Sequence, residues 1–261
     1  MISFQIGQLY DWINGLLWPL FRIAGLVAMA PVLGESSVPM RVKIGLSVVI
    51  TLIAAPLIGA MPDVAPASWS GLLIAVQQVL IGMALGLCMR LIFTATMMAG
   101  EFVGLQMGLA FASFFDPATG ANTAVLSRLL NLVAMLIFLA VNGHLLMLDG
   151  LVRTFELLPV GAPLMTDGWG ALLDWSAQLW ISGILLALPL IIVLLTINLS
   201  LGILNRTAQQ LSVFAVGFPI SLTTGLIMLA IVLPQSGDFL AGLFEGGYQA
   251  MARIARSLAG L

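Results

Sequence analysis

Residues 100–128 read GEFVGLQMGLAFASFFDPATGANTAVLSR and join a helical pattern to a loop of unusual composition. Gly100, Gly104 and Gly108 recur at every fourth position, which is typical of a helix face that lets another backbone come close. After Gly108 the stretch keeps three phenylalanines among small residues and continues with Asp116-Pro117 and the flexible residues 119–122. Loops between membrane helices are usually polar because they meet water. This apolar loop is better suited to filling a hole in a protein than to facing solvent.

The composition around this stretch is that of an integral membrane protein. Of the 261 residues, 61% are hydrophobic and 8% are charged, whereas a soluble domain carries roughly 25% charged residues. The formal net charge of −2 provides no basic patch, so we expect no nucleic acid as a partner. The N-terminus lacks a basic segment followed by a small-residue cleavage site, so we also expect no removable signal peptide.

Apolar runs divide the chain into stretches near or above the roughly 20 residues that a membrane-spanning helix needs. The sequence therefore predicts an all-α membrane protein with about six hydrophobic helices. The third and fifth runs are longer than one crossing requires, which favours tilted helices or helices that extend into a protein assembly. Pro189 and Pro219 predict kinks in the fifth and sixth runs. The runs are 12–33, 44–61, 72–100, 129–148, 179–204 and 213–233.

Few charges are available to set the orientation in a membrane. With alternating spans, Arg41, Lys43, Arg128 and Arg206 all fall on one side, which the positive-inside rule makes cytoplasmic. Both termini and the loop 149–168 would then lie on the other side.

Residues 235–261 follow the last run and predict an amphipathic tail. Apolar side chains recur there at roughly helical spacing, with Arg253 and Arg256 on other faces. Such a tail could lie on a membrane or dock on a partner protein.

Three charged residues lie inside or at the end of apolar runs, namely Arg22, Arg90 and Glu101. A charge at the centre of a bilayer costs about 2.5–3.5 kcal/mol on insertion scales, so such residues normally pair or line water. We expect these charges to be buried. They could form a structural ion pair or reach an interface, or their helices could sit in a protein assembly with wet cavities.

No arrangement of residues indicates catalysis or cofactor binding. The one histidine, His144, and the one cysteine, Cys88, are too few for a protein-only zinc site of the usual type. The zinc-protease, nucleophile-elbow and phosphate-loop motifs are missing from the sequence. We therefore predict a protein that is not an enzyme and has no catalytic, metal-binding or cofactor-binding residues. Asn198-Leu199-Ser200 matches the glycosylation sequon, but it lies in an apolar run and we discount it.

A secondary transporter is the alternative function that the composition allows. Such a protein would show two related halves with broken helices at matching positions. The aromatic loop and the prolines at 189 and 219 have no counterparts in the other half. Arg22, Arg90 and Glu101 could still form a proton or anion site, so this alternative stays open.

Four long segments resemble, in order and spacing, the FliR family, the flagellar members of a wider group called SctT in injectisomes. This family forms part of the type III secretion export gate, and the resemblance covers nearly the whole chain. The segments are APVLGESSVPMRVKIGLS (30–47), GEFVGLQMGLAFASFFDP (100–117), FLAVNGHLLML (138–148) and LALPLIIVLLTINLSLGILNR (186–206).

The resemblance implies a subunit of a helical hetero-oligomeric pore in the bacterial inner membrane, at the flagellar basal body. Its partners would be FliP, FliQ and FlhB together with membrane lipid, and unfolded flagellar subunits would pass through the pore. The chain would consist of a FliP-like part (about 1–170), a FliQ-like helical hairpin (171–234) and the amphipathic tail (235–261).

The resemblance also assigns roles to residues. The plug loop of the family corresponds to residues 108–122, and the turn expected to contact FlhB corresponds to residues 205–211. The phenylalanines could instead make ordinary contacts between helices, and Met107 could be simple packing. The pore-plug residues are Met107, Gly108, Phe111, Phe114, Phe115, Asp116, Pro117 and Gly120, and the turn residues are Asn205, Arg206, Thr207, Gln209 and Gln210.

Overall fold

The computed structural model describes residues 6–59, 61–109, 125–207 and 213–261 of the chain. Over these residues the fold is all-α, as the sequence predicts, with eight α-helices and no strand. The helices are α1 (Ile6–Met29), α2 (Met40–Ala54), α3 (Trp69–Gln106), α4 (Val125–Ala140), α5 (Gly143–Leu157), α6 (Asp167–Thr207), α7 (Val213–Val232) and α8 (Ser236–Ala259). Short 3₁₀ turns at Ala55–Leu57 and Leu233–Gln235 follow α2 and α7.

The helices are long and apolar, as expected for a membrane protein. Five stretches of described helix could cross a membrane, and six if α4 and α5 count as one span, which agrees with the predicted number. The 38 residues of α3 and the 41 of α6 extend about 57 and 62 Å at ~1.5 Å per residue. Both lengths exceed the ~30 Å of hydrocarbon in a bilayer. α6 and α7 continue through Pro189 and Pro219, and the kinks expected there stay a prediction.

The chain divides into two compact units, each assembled from separated segments. The first unit comprises Met1–Leu91, Asn142–Ala177 and Phe244–Leu261, and the second comprises Ile92–Val141 and Gln178–Leu243. The division into a FliP-like part, a FliQ-like hairpin and a tail stays a prediction.

The fourth predicted run, 129–148, is two helices rather than one. α4 ends at Ala140 and α5 begins at Gly143, and Asn142 between them has a φ of 55° in the left-handed region. Asparagine adopts this conformation more readily than most residues, and Asn-Gly is a common turn signal. The break was not predicted because apolar residues continue on both sides of it.

Close backbone contacts join α1 to α3 in the first unit. A Cβ atom at Gly25 would lie 2.5 Å from the carbonyl oxygen of Val79, and one at Gly86 would lie 2.7 Å from that of Leu26. Gly82 lies against the backbone of Arg22 in the same way. Since Arg22 faces Gly82 and Leu26 faces Gly86, the two helices run in the same direction over this contact.

The C-terminal tail packs against its own chain, where we had expected it to lie on a membrane or dock on a partner. Within the first unit, Trp175 lies against Gly246 of α8, and the amide of Met165 donates to the carbonyl of Leu258. Tyr248 donates its hydroxyl hydrogen to the carbonyl of Gly143 over 3.2 Å. The predicted apolar periodicity is correct for Met251, Ile254 and Leu258, which are buried. That face is covered by the rest of the first unit.

The core of the second unit is built from α3, α4, α6 and α7. A Cβ atom at Gly100 of α3 would lie 2.6 Å from the backbone nitrogen of Ser127 in α4, whereas the nearest atom to one at Gly104 is 3.9 Å away. The close approach predicted for this glycine face is therefore confirmed at Gly100 but not at Gly104. One cluster of this buried core consists of Ala99, Val103, Met107, Leu126, Ala187, Leu190, Leu194 and Leu229.

Candidate functional site

The C-terminal end of α3 marks the start of the predicted plug loop. The amide of Leu109 donates to the carbonyl of Gly104 over 3.0 Å, and that of Gly108 donates to Leu105 over 3.1 Å. Gly108 has a φ of 80°. These two bonds around a residue of positive φ form the Schellman motif that ends many helices. Gly108 is therefore the residue at which the chain leaves α3, because a side chain there would strain the backbone.

An asparagine from α6 satisfies the next carbonyl of α3. Asn198 Nδ2 donates to the carbonyl of Gln106 over 3.2 Å, and the Ser221 hydroxyl of α7 donates to Asn198 Oδ1 over 2.8 Å. The carbonyl of Gln106 can only accept, which orients the amide and leaves Oδ1 free to accept from Ser221. We call this group of Gln106, Asn198 and Ser221 the α3 clasp.

The α3 clasp was not predicted from the sequence, although a signal for it was present. Asn198 and Ser221 are polar residues within long apolar helices, where interhelical hydrogen bonds are the usual role of such side chains. In the sequence, Asn198 stands out as part of a glycosylation sequon. Ser221 is buried and Asn198 is half-buried.

Met107 lies next to the α3 clasp and is a core residue of the second unit. Its side chain is fully buried, and a Cβ atom at Gly225 of α7 would lie 2.5 Å from Met107 Cγ. The absence of a side chain at Gly225 thus makes the space that Met107 fills. The structure places Met107 in helix packing, which is the alternative to its predicted role in the plug.

The remaining plug residues lie outside the described residues. This holds for Phe111, Phe114, Phe115, Asp116, Pro117 and Gly120. Their obstruction of a pore stays a prediction.

The predicted FlhB-binding turn is described only in part. Asn205, Arg206 and Thr207 end α6 and are exposed, whereas Gln209 and Gln210 lie outside the described residues. Arg206 lies in the last turn of α6, where a cation interacts favourably with the helix dipole. The Thr207 hydroxyl donates back to the carbonyl of Leu204 over 2.9 Å. Contact with FlhB stays a prediction.

Arg22 is a fully buried charge in the first unit, bound by neutral groups. Its Nε donates to Gln78 Oε1 over 2.8 Å, its Nη1 to the Thr154 hydroxyl over 3.2 Å, and its Nη2 to the carbonyl of Leu158 over 2.9 Å. The guanidinium carbon lies 4.0 Å from the centre of the Phe155 ring. Leu158 is the C-cap of α5, so the negative end of the helix dipole faces the cation.

The side chains of Arg90 and Glu101 are exposed on the chain itself, and their burial within an assembly stays a prediction. Glu101 accepts a hydrogen bond from the Ser127 hydroxyl over 3.2 Å. The insertion cost that predicted burial applies only where a residue is surrounded by hydrocarbon. In this fold, only Arg22 of the three is enclosed by the chain itself.

Comparisons with known proteins identify close relatives of this sequence. A family model described as bacterial export proteins, family 1, matches residues 13–247. The chain is 45% identical over 259 residues to the flagellar biosynthetic protein FliR of Escherichia coli (strain K12), with 99% of each chain covered. Identity and coverage are the same for the protein of that name from Pectobacterium carotovorum. The one from Bacillus subtilis (strain 168) is 28% identical over 232 residues, with 87% of this chain and 89% of the relative covered.

Proposed function

The chain belongs to the FliR family of flagellar biosynthetic proteins, within family 1 of the bacterial export proteins, and on this premise we propose that it is a subunit of the flagellar export gate. With FliP and FliQ, and with FlhB associated, it forms a closed pore in the inner membrane at the basal body. Unfolded flagellar subunits leave the cytoplasm through this pore. The observation that carries the proposal is the 45% identity to a FliR protein over 99% of both chains.

The surface of the second unit supports a role inside a protein assembly. α6 and α7 are apolar on faces that their own chain does not cover. Such faces are covered by lipid or by other apolar helices, and a helix well over one bilayer thickness in length needs protein neighbours beyond the hydrocarbon. The large exposed side chains include Ile181, Ile192, Leu199 and Ile203 of α6, and Ile227 and Ile231 of α7.

We propose that residues 108–122 plug the pore at rest. An export channel must pass chains of many sequences and still hold back ions. Apolar side chains remove water from a narrow bore. Phe111, Phe114 and Phe115 would supply them, on a segment that begins at the left-handed Gly108. Because apolar contacts require no specific partner, the same side chains could fold aside around any exported chain.

The transporter alternative receives no support from Arg22. Its three hydrogen bonds go to groups of its own unit, and these bonds account for its burial without a transported solute. The family is one of export proteins. The export-gate subunit is therefore the function that we retain.

Native mass spectrometry of the chain, extracted in mild detergent after co-expression with its neighbouring genes, tests the assembly. We expect a stable complex with several small, very hydrophobic proteins. A single chain or homodimer that binds a small solute would contradict the proposal. In that case Arg22, Arg90 and Glu101 would be the residues to substitute next.

A further inference from the structure

We propose that Asn198 is a positioning residue that fixes the end of α3 on α6 and α7, and thereby fixes the point from which the plug segment starts. The inference rests on the proposed function in one respect, namely that the segment after Gly108 plugs the pore. The α3 clasp itself consists of described residues of the second unit. Its two hydrogen bonds join Gln106 to Asn198 and Asn198 to Ser221.

The chemistry at the end of α3 explains why an amide is needed there. The Schellman bonds occupy the carbonyls of Gly104 and Leu105, and the carbonyl of Gln106 is the next along the helix. This carbonyl needs a donor, and Ser221 needs an acceptor within an apolar helix. A primary amide provides both functions on one side chain. Leucine has neither, and aspartate could accept from Ser221 but could not donate to Gln106.

A second contact beside the hydrogen bonds holds the same end of α3. Met107 follows Gln106 and fills the space above Gly225, which lies one helical turn beyond Ser221 on the same face of α7. On α6, the fully buried Leu194 lies one turn before Asn198. Polar and apolar contacts to α6 and α7 therefore hold two consecutive residues, and the chain turns away at the residue that follows.

The two hydrogen bonds of the α3 clasp are strong enough to position the end of α3 but too weak to hold the fold together. Interhelical hydrogen bonds within membranes stabilise modestly because the polar groups find other partners when the bond breaks. Asn198 is not among the buried apolar residues that form the core beside the clasp. Loss of the bonds should therefore release the start of the plug segment and leave the second unit folded.

The test measures how readily a cysteine in the plug segment reacts with a water-soluble maleimide. Ser113→Cys supplies the reporter, and the native Cys88 is fully buried. The labelled protein is the full chain in the complex with which it co-purifies. Asn198→Ala removes both hydrogen bonds of the α3 clasp. Asn198→Asp removes only the donor to the carbonyl of Gln106, and Ser221→Ala removes only the hydrogen bond from the Ser221 hydroxyl to Asn198 Oδ1.

We expect Asn198→Ala and Asn198→Asp to raise the labelling rate about fivefold, the factor that corresponds to an interhelical hydrogen bond in the upper part of its usual range. Ser221→Ala should raise it less, by about twofold, since Gln106 keeps its donor. The melting temperature of the complex should change little. The matched control is Ser200→Ala, because the Ser200 hydroxyl is exposed and donates to the carbonyl of Thr196 in its own helix. Its labelling rate should equal that of wild type.

Two results would overturn the inference. The first is wild-type labelling in both Asn198 variants. The second is failure of all three variants to assemble, since this would show that the clasp is required for folding. The outcome does not depend on whether the segment seals a pore, which is measured separately as ion leakage. If the wild-type pore leaks ions and the Asn198 variants are still labelled faster, the proposed plug is wrong. The proposed role of the α3 clasp would then still hold.

Discussion

The two units treat their buried polar groups in different ways. In the first unit, Arg22 is fully buried. It donates hydrogen bonds to three groups of the protein and stacks on the ring of Phe155. In the second unit, the half-buried Asn198 of α6 binds the end of α3, where the chain leaves that helix. The comparison indicates that the first unit is held together by its own polar centre. In the second unit, the proposed role of Asn198 is to fix the start of a loop, and apolar faces of α6 and α7 are exposed on the chain.

The largest expected effect is at Arg22. Arg22→Met leaves the acceptors of Gln78, Thr154 and Leu158 without their donor, and each buried unsatisfied group costs about 1–3 kcal/mol. We expect a loss of about 3 kcal/mol or more, seen as a lower melting temperature and a lower yield of purified complex. Arg22→Lys keeps the charge and part of the bonding, so its loss should be smaller. If Arg22→Met is as stable as wild type, then Arg22 does not hold the first unit together, and the proposed difference between the two units is wrong.

A smaller effect is expected where α3 meets α4 in the second unit. Gly100→Ala places a methyl group 2.6 Å from the backbone of Ser127, and a clash of this kind in a packed core typically costs about 1–3 kcal/mol. Gly104→Ala is the matched control, because its nearest neighbour is 3.9 Å away and alanine favours a helix. Thermal unfolding of the two variants side by side measures the difference. Equal melting temperatures would show that the helices can separate freely at Gly100.

The smallest effect concerns the contact beside the α3 clasp. Gly225→Ala displaces Met107, whose Cγ lies 2.5 Å from the added methyl group, and we expect a cost of about 1 kcal/mol as the flexible side chain rearranges. Met107→Ala alone should cost about 2–5 kcal/mol, as truncation of a buried methionine usually does. Combined with Gly225→Ala it should cost less than the two single losses together, since the added methyl group fills part of the space that Met107 leaves. Gly202→Ala, which meets no neighbour, serves as the control. If Met107→Ala and Gly225→Ala destabilise additively, the two residues are not coupled.

Much of the fold follows from the sequence because apolar length and composition dominate it. The all-α class and the number of spans were predicted from hydrophobic runs. The break at Asn142 was missed because a single residue of positive φ interrupts an otherwise apolar pattern. The placement of the tail was missed because periodicity identifies an apolar face but not the surface that covers it.

The candidate site was predicted less completely than the fold. The glycine at the end of α3 was found, because a helix that passes into a loop at Gly108 has a local signature. The α3 clasp was missed because Gln106, Asn198 and Ser221 are distant in sequence. Arg22, Arg90 and Glu101 look alike in hydropathy, although the chain itself encloses Arg22 and exposes the other two, because hydropathy does not distinguish an exposed helix face from an enclosed one. Burial of Arg22 depends on acceptors from α3 and from the end of α5.

Ion leakage through the assembled complex, with the aromatic side chains of the plug segment replaced, tests whether this segment closes the pore. The variant Phe111→Ser, Phe114→Ser, Phe115→Ser leaves Gly108 and the α3 clasp unchanged, and the corresponding triple leucine variant retains apolar bulk as the control. We predict that both variants assemble, that the serine variant makes cells or reconstituted vesicles permeable to ions, and that the leucine variant stays closed. A serine variant that assembles and holds back ions as well as wild type does would contradict the account.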